Sequence, residues 1–244
     1  MERPAAAKAA GFDYVEFWWP FDSNPVPTDK AVEGFIASII DAGTQLKGLN
    51  FWAGNMKDGD RGRLSSPGYS SEVADNADIV SAIGQRTGCR NFNALYGLRE
   101  HNCAKEVQDE IAIKNLQTAA EAVKKINGTV LIEPVSGADR YPIKTAYDAV
   151  TFISTARNSG IENVALLADF YHLAVNGDDV DQVIKSHAAE FGHIQIADAP
   201  GRGAPGTGNL PLLDWVTSSY EAGYVGKVSL EYKQSQDTAF VWLS

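Results

Sequence analysis

Four side chains with oxygen ligands stand where four separate apolar segments of the sequence end. They are Glu133 in LIEP, Asp169 in LLADFYH, Gln195 in HIQIAD and Glu231 in SLEYK. A carboxylate embedded in an apolar strand is costly unless it is paired or bound to a metal. For any single one, a neighbouring arginine, lysine or backbone amide is an equally good partner. Four that converge would form a site of the type that Mg2+ or Mn2+ prefers, since no thiolate is present to select zinc.

A glycine-rich stretch, GRGAPG at residues 201–206, matches the GxGxxG pattern of dinucleotide-binding turns. In such turns the glycines open a helix directly after the first strand of a βαβ unit. Here the pattern follows the penultimate predicted strand, contains Pro205, and precedes a helical pattern that begins only near Leu212. The sequence therefore favours a mobile loop, shaped by its glycines, in which Arg202 points inward.

Short strands alternate with longer amphipathic helices along the chain. Apolar and β-branched segments predict strands at Tyr14–Trp19, Leu46–Phe51, Asn91–Leu95, Val130–Glu133, Val164–Asp169, His193–Ala197 and Lys227–Tyr232. Helical periodicity predicts helices at the N-terminus and at Asp29–Ala42, Ser70–Thr87, Ala104–Ile126, Ile143–Asn158, Val180–Glu190 and Leu212–Ala222. Because no linker or low-complexity segment interrupts this alternation, we expect a single domain over residues 1–244.

Parallel strands joined by helices form either an open doubly wound sheet or a closed (β/α)8 barrel. An open sheet gathers its ligand groups at one switch point, whereas a barrel brings the ends of many strands around one axis. The four polar residues are dispersed over four strands, and this dispersion favours the TIM barrel.

The composition argues against several classes of function. A formal net charge of −10 over 244 residues disfavours nucleic acid and anionic membrane surfaces as partners. No apolar run approaches the roughly 20 residues that span a bilayer, and the N-terminal segment lacks the apolar core of a secretory signal. Cys89 and Cys103 do not have a paired metal spacing. We therefore expect a cytoplasmic protein that binds a small molecule.

The motifs LIEP, DFYH, GHIQIADAPGRGAPGTG and LEYK, in this order and at these intervals, resemble the hydroxypyruvate isomerase family. That family belongs to the xylose-isomerase-like superfamily of TIM-barrel sugar isomerases and epimerases. The resemblance extends from about residue 8 to the C-terminus and includes GFDYVEFWWP and GDRG. It implies a divalent metal, Mg2+ or Mn2+, held by Glu133, Asp169, Gln195 and Glu231. Related epimerases carry histidine at the position of Gln195.

The resemblance also implies a reaction, the interconversion of hydroxypyruvate and tartronate semialdehyde through an enediol. Glu133 and Glu231 would be the acid/base pair, and the metal would stabilise the developing charge on the oxygens. The alternatives are a 2-oxo-tetronate isomerase, a ketose epimerase, a non-catalytic barrel and a DNA-repair endonuclease. The endonuclease is disfavoured because the chain has only four histidines and is acidic.

Three further residues are candidates for binding a small anionic 2-oxo-hydroxy acid. Arg202 offers a fork of donors that matches a carboxylate. Lys233 follows Glu231 by two residues and points to the same face if the strand continues that far. A solvated loop charge is the alternative for both cations. His172, in DFYH, resembles the substrate-contacting histidine of the related epimerases.

Other polar and aromatic residues near these motifs have a structural interpretation. His193 shares a strand face with Gln195 and is either a partner of that residue or a satisfied core histidine. The aromatic cluster FWWP at residues 17–20 is interpreted as packing and pocket lining rather than as a sugar-stacking platform.

A closed barrel needs eight strands, and the sequence predicts seven. The resemblance implies a first strand before the N-terminal helix, and that strand is missing here. Three explanations stay open: a gap in the barrel, a cover from another segment or from another subunit of a homo-oligomer, or a chain that begins downstream of the natural start. In the first case the edges of the first and last strands would be unpaired.

Overall fold

The computed structural model describes residues 2–235 and 238–243. Within them, seven strands form one parallel sheet in which each strand pairs with the next along the chain. The strands are β1 (Tyr14–Phe17), β2 (Gln45–Asn50), β3 (Asn91–Asn93), β4 (Thr129–Ile132), β5 (Val164–Asp169), β6 (Phe191–Ile196) and β7 (Val228–Leu230). The seven predicted strands and their parallel order are confirmed.

Eight α helices connect or flank these strands in the described part of the chain. They are α1 (Arg3–Ala9), α2 (Asp29–Asp41), α3 (Ser70–Thr87), α4 (Lys105–Lys124), α5 (Ala146–Asn158), α6 (Phe170–Asn176), α7 (Val180–His187) and α8 (Leu212–Glu221). Side-chain caps fix where several of them begin. Thr28 accepts a hydrogen bond from the N–H of Ala31 at the start of α2, and Thr145 and Asp148 form a reciprocal capping box at α5.

The structure departs from the predicted boundaries in two informative places. The capping box makes α5 begin at Ala146, three residues after the predicted start. Helix α6 was not predicted at all. It begins directly after β5 because the Asp169 carboxylate accepts hydrogen bonds from the N–H groups of Tyr171 and His172. Asp169 is therefore both the last residue of a strand and the cap of a helix.

The sheet is nearly closed, and its two edges face each other. Strand β1 pairs only with β2, and β7 pairs only with β6; the described residues contain no eighth strand between them. The residues of β7 are half-buried, whereas those of β5 are almost all buried. Side chains cross the gap: Trp18 Nε1 donates to Glu231 Oε1 at 2.9 Å, and Lys227 Nζ lies 5.1 Å from the ring centroid of Tyr14.

The hydrophobic core fills the space between the sheet and the surrounding helices. Phe92 of β3 is fully buried against Phe51, and Phe170 packs edge-on against Trp215 of α8. Both cysteines are free thiols. No described helix is long and apolar enough to cross a membrane. The barrel thus supplies a rigid frame for the loops at the carboxyl ends of its strands.

Candidate active site

The four polar residues predicted as metal ligands lie at the carboxyl ends of four strands. Glu133 directly follows β4, Asp169 ends β5, Gln195 is the penultimate residue of β6, and Glu231 directly follows β7. Asp169 and Gln195 are register partners on neighbouring strands, so their side chains leave the sheet on the same face. The barrel topology therefore gathers these side chains at one mouth.

Arg202 joins two of the carboxylates. Its Nη2 donates to Asp169 Oδ2 at 3.1 Å and lies 2.8 Å from Glu231 Oε1, while its Nε donates to the backbone carbonyl of Glu231 at 3.1 Å. The guanidinium is largely buried, with 13% of its side chain exposed. One cation therefore bridges the end of a central strand and the end of an edge strand.

Burial raises the pKa values of the three carboxyl groups, and repulsion from nearby carboxylates adds to the effect. Burial, followed by the charge of Asp169, raises the pKa of Glu133 to about 8. Burial raises the pKa of Asp169 to about 6, although the nearby Arg202 opposes this shift. Burial and then the charge of Glu133 raise the pKa of Glu231 well above its ordinary value. Such a cluster favours the entry of a further cation or the retention of protons.

His172 is held in one tautomer beside the carboxylates. The backbone N–H of Ser136 donates to His172 Nδ1 at 3.0 Å, so the ring proton of the neutral imidazole is on Nε2. His172 Nε2 lies 3.8 Å from Glu133 Oε1 and 3.6 Å from Asp169 Oδ2. Burial, followed by the charge of Arg202, lowers the pKa of His172 to about 3. The side chain is therefore neutral and offers an N–H donor at the carboxylate cluster.

The glycine-rich stretch after β6 forms the loop that carries Arg202. Arg202 has a φ of 58°, in the left-handed region, and follows Gly201 with a φ of 96°. The next residue, Gly203, exchanges two backbone hydrogen bonds with Asp198 at 2.8 and 3.0 Å. The following helix, α8, begins only at Leu212, so these glycines do not open a helix as a dinucleotide-binding turn requires. The tight turn directs the arginine toward the carboxylates.

Asp198 anchors this loop and was not predicted from the sequence. Its buried carboxylate accepts hydrogen bonds from the N–H groups of Ala199 at 2.9 Å, Gly206 at 3.0 Å and Leu210 at 3.0 Å. Burial alone raises the pKa of Asp198, but the backbone donors outweigh it and lower the pKa. An aspartate between a strand and a glycine-rich loop is the signal that could have identified it.

Lys233 lies at the rim of the site. Strand β7 ends at Leu230, two residues before the predicted end, and the Lys233 side chain is exposed. Its backbone N–H donates to the carbonyl of Arg202 at 2.7 Å, and its charge contributes to the lowered pKa of His172. A role of Lys233 in substrate binding stays a prediction.

Glu16 of β1 lies against β6 inside the barrel and was not singled out from the sequence. Glu16 Oε2 lies 2.8 Å from His193 Nε2, and Glu16 Oε1 accepts a hydrogen bond from Gln195 Nε2 at 2.7 Å. His193 is therefore a core histidine with a hydrogen-bond partner, and through Glu16 it is also linked to Gln195. Both predicted interpretations of His193 thus apply. A glutamate inside an apolar strand was the available signal, in VEFWW.

Two more side chains contact the glutamates without having been predicted to do so. Asn93 of β3 donates from Nδ2 to Glu133 Oε2 at 2.5 Å. Trp18 donates to Glu231, although 51% of the Trp18 residue is exposed, while its neighbour Trp19 is buried. The aromatic cluster therefore divides into a packing residue and a residue that contacts a candidate acid/base group.

The donor chemistry of the site fits a divalent cation. Among the described acidic, histidine and cysteine residues, ligand atoms of Glu133, Asp169 and His172 lie within 4.8 Å of one another. Because His172 Nε2 carries the ring proton, the oxygen atoms are the better ligands. Gln195 Oε1 is buried and has no hydrogen-bond donor among the described residues. A cation that takes oxygen ligands would satisfy this acceptor and offset the carboxylate repulsion.

Comparison with known proteins agrees with the geometry. The sequence matches the family described as xylose isomerase-like TIM barrel over residues 4–242. The chain belongs to this family. A Streptomyces coelicolor protein assigned as a hydroxypyruvate isomerase is 44% identical over 250 residues, covering 100% of this chain and 90% of that protein. The 2-oxo-tetronate isomerase of Haemophilus influenzae is 25% identical over 240 residues, covering 98% and 89%.

A solved structure shares the xylose isomerase-like fold over nearly the whole chain. The AP endonuclease, family 2, from Brucella melitensis superposes with a TM-score of 0.86 at 27% identity, covering 99% of this chain and 91% of that one. The fold prediction is confirmed. Together with relatives that are named as isomerases, the family match identifies this xylose isomerase-like protein as an isomerase.

Proposed function

We propose that the protein interconverts hydroxypyruvate and tartronate semialdehyde. The observation that carries this proposal is a pair of glutamates with raised pKa values, the buried Glu133 and the half-buried Glu231, which come from two non-adjacent strands to one carboxylate cluster. The Streptomyces relative, at 44% identity over the whole chain, supports the choice of substrate.

The reaction moves hydrogen between two adjacent carbons. One glutamate removes a proton from C3 of hydroxypyruvate while the C2 carbonyl oxygen gains a proton, and an enediol results. The other glutamate delivers a proton to C2, and the C3 hydroxyl loses its proton to leave an aldehyde. The raised pKa of Glu133, about 8, suits a group that alternates between acid and base near neutral pH, and burial raises the pKa of Glu231 as well.

Neighbouring side chains orient the anionic substrate. Arg202 keeps Nη1 available, since the described residues give it no hydrogen-bond acceptor there, and this group would bind the substrate carboxylate. His172 Nε2–H would donate to a substrate oxygen and stabilise the negative charge that develops there. Lys233 would add positive charge at the rim and favour the entry of an anion.

Glu133, Asp169, Gln195 and Glu231 would hold a Mg2+ or Mn2+ ion. When bound, such an ion would supply Lewis-acid polarisation of the substrate. Asp169 would serve as a ligand and not as the base, because its Oδ1 accepts from the N–H groups of Tyr171 and His172 and its Oδ2 accepts from Arg202. The two glutamates, which have no such restriction on both oxygens, would carry the proton transfer.

Solvent-deuterium exchange into hydroxypyruvate tests the proposal. The wild-type protein should exchange, and Glu133→Gln and Glu231→Gln should each lower exchange by about 100- to 10,000-fold, because each removes one proton carrier. Glu33→Gln, an exposed glutamate on α2, is the matched control and should leave exchange unchanged. Full exchange in both site variants would rule out the proton-transfer assignment.

A second candidate is an isomerase of 2-oxo-tetronates, which the Haemophilus relative favours. The same two glutamates would carry the same proton transfer on a substrate that is one carbon longer. A panel of hydroxypyruvate, 2-oxo-tetronates and free ketoses, each with and without added Mg2+ or Mn2+, separates the candidates. The substrate with the highest kcat/KM identifies the activity.

A further inference from the structure

Glu16 links the first strand of the sheet to the strand that carries Gln195. We propose that Glu16 is a positioning residue, which turns the Gln195 carboxamide so that its carbonyl oxygen is presented as a metal ligand. This inference rests on the proposed metal-assisted isomerase. Gln195 Nε2 lies 2.7 Å from Glu16 Oε1, although the two residues are 179 positions apart in the sequence.

The chemistry of Glu16 fixes which end of the Gln195 amide faces it. An ionised carboxylate only accepts hydrogen bonds, so His193 and Gln195 must both donate to Glu16. The negative charge of Glu16 also contributes to the raised pKa values of Glu133 and Glu231. Gln195 therefore directs its amide nitrogen to Glu16 and its carbonyl oxygen elsewhere.

The carbonyl oxygen of the Gln195 side chain lacks a hydrogen-bond donor in the part of the chain that the structure describes. Gln195 Oε1 is buried and receives no hydrogen bond from the described residues. A buried acceptor without a partner is unfavourable, and a bound cation would supply the missing interaction. Because Gln195 is the register partner of Asp169, this oxygen belongs to the same end of the sheet as the carboxylate cluster.

The neighbouring strand leaves room for Glu16. Its register partner on β2 is Gly48, and a Cβ atom at that position would lie 3.1 Å from Glu16 Oε2 and 3.2 Å from Glu16 Cβ. Any side chain there would crowd the carboxylate. The glycine therefore allows Glu16 to hold the geometry that its two donors require.

The affinity for Mn2+ tests this role without any measurement of turnover. In Glu16→Gln, the new amide can accept from one neighbour but presents its own NH2 group to the other. We expect Gln195 to flip and Mn2+ affinity to fall by about 10- to 100-fold, as is typical when a residue that orients a metal ligand is lost. Free Mn2+ is measured by electron paramagnetic resonance during titration, and thermal unfolding in chelator checks that the variant is folded.

A swap of the two side chains separates positioning from a merely structural role. In Glu16→Gln combined with Gln195→Glu, the amide at position 16 accepts from His193 and donates to the carboxylate at position 195. The second oxygen of that carboxylate then takes the place of Gln195 Oε1. The double variant should regain most of the lost Mn2+ affinity, which simple loss of packing would not allow.

Three results would overturn the inference. They are an unchanged Mn2+ affinity in Glu16→Gln, a double variant as weak as the single one, and no Mn2+ binding by the wild type. The first two leave the isomerase proposal intact, whereas the third also removes its metal. If Glu16→Gln does not fold, Glu16→Asp serves instead: its shorter side chain keeps the charge but withdraws from Gln195, and we expect weaker Mn2+ binding.

Discussion

The two glutamates of the candidate acid/base pair are held in different ways. Glu133 follows β4, a strand with neighbours on both sides, and its side chain is 7% exposed. Glu231 follows β7, an edge strand, and its side chain is 18% exposed. Asn93, from the adjacent strand, contacts Glu133, whereas Arg202 from a loop and Trp18 from across the gap contact Glu231.

This difference shows that a nearly closed barrel can position one group by its sheet and another by side chains. On the β4 side, backbone pairing sets the spacing between strands, and the polar contacts follow from it. On the β7 side, the backbone pairs with a strand on one side only. Side-chain contacts from the loop and from across the gap take the place of a second neighbouring strand. Perturbing those contacts should therefore affect Glu231 far more than Glu133.

The largest effect in this comparison is expected from Arg202, which joins Glu231 to Asp169 on a central strand. Arg202→Ala removes a bridge between Asp169 and Glu231 and the proposed carboxylate-binding group, and it should raise KM by roughly 10- to 100-fold. Steady-state kinetics with hydroxypyruvate measure the change. Arg86→Ala, which removes an exposed arginine paired with Glu33, is the control. An unchanged KM would exclude Arg202 from the carboxylate site.

A smaller effect is expected from the contact across the gap. Trp18→Phe keeps an aromatic ring but removes the hydrogen bond to Glu231, and we expect kcat to fall by roughly 3- to 10-fold. Trp19→Phe is a matched control, because its indole N–H donates to the carbonyl of Asn24, away from the carboxylates. Equal kinetics in the two variants would show that Glu231 does not need Trp18.

The smallest effect is expected on stability, from the anchor of the loop. Asp198→Asn turns an amide toward backbone donors and should lower Tm by about 2–6 °C at pH 7. Because folding lowers the pKa of Asp198, its contribution is present above the pKa of the unfolded chain and is lost as pH falls through the folded pKa.

A pH series of thermal unfolding checks the sign of this effect. The difference in Tm between wild type and Asp198→Asn should shrink toward zero as the pH is lowered below about 4. Asp78→Asn, on the exposed face of α3, should show no such trend. A difference that grows at low pH would contradict the assigned hydrogen bonds.

Much of the fold followed from local sequence patterns. The alternation of strands and helices predicted a parallel sheet, and the dispersion of four polar residues over four strand ends favoured the barrel over an open sheet. The missed helix α6 is only seven residues long and begins inside a motif assigned to a strand end. Asp169 both ends strand β5 and caps helix α6. The strand pattern alone does not indicate the second role.

The sequence by itself determined which carboxyl and amide groups stand at strand ends, because hydrophobic periodicity is a local property. Only the tertiary structure decided what touches them. Glu16 meets His193 and Gln195 across separations of 177 and 179 residues, and Trp18 meets Glu231 across 213. These contacts exist because the sheet curves until its first strand faces its last ones. The closure depends on strand tilt and register around the whole barrel, which no local window of sequence contains.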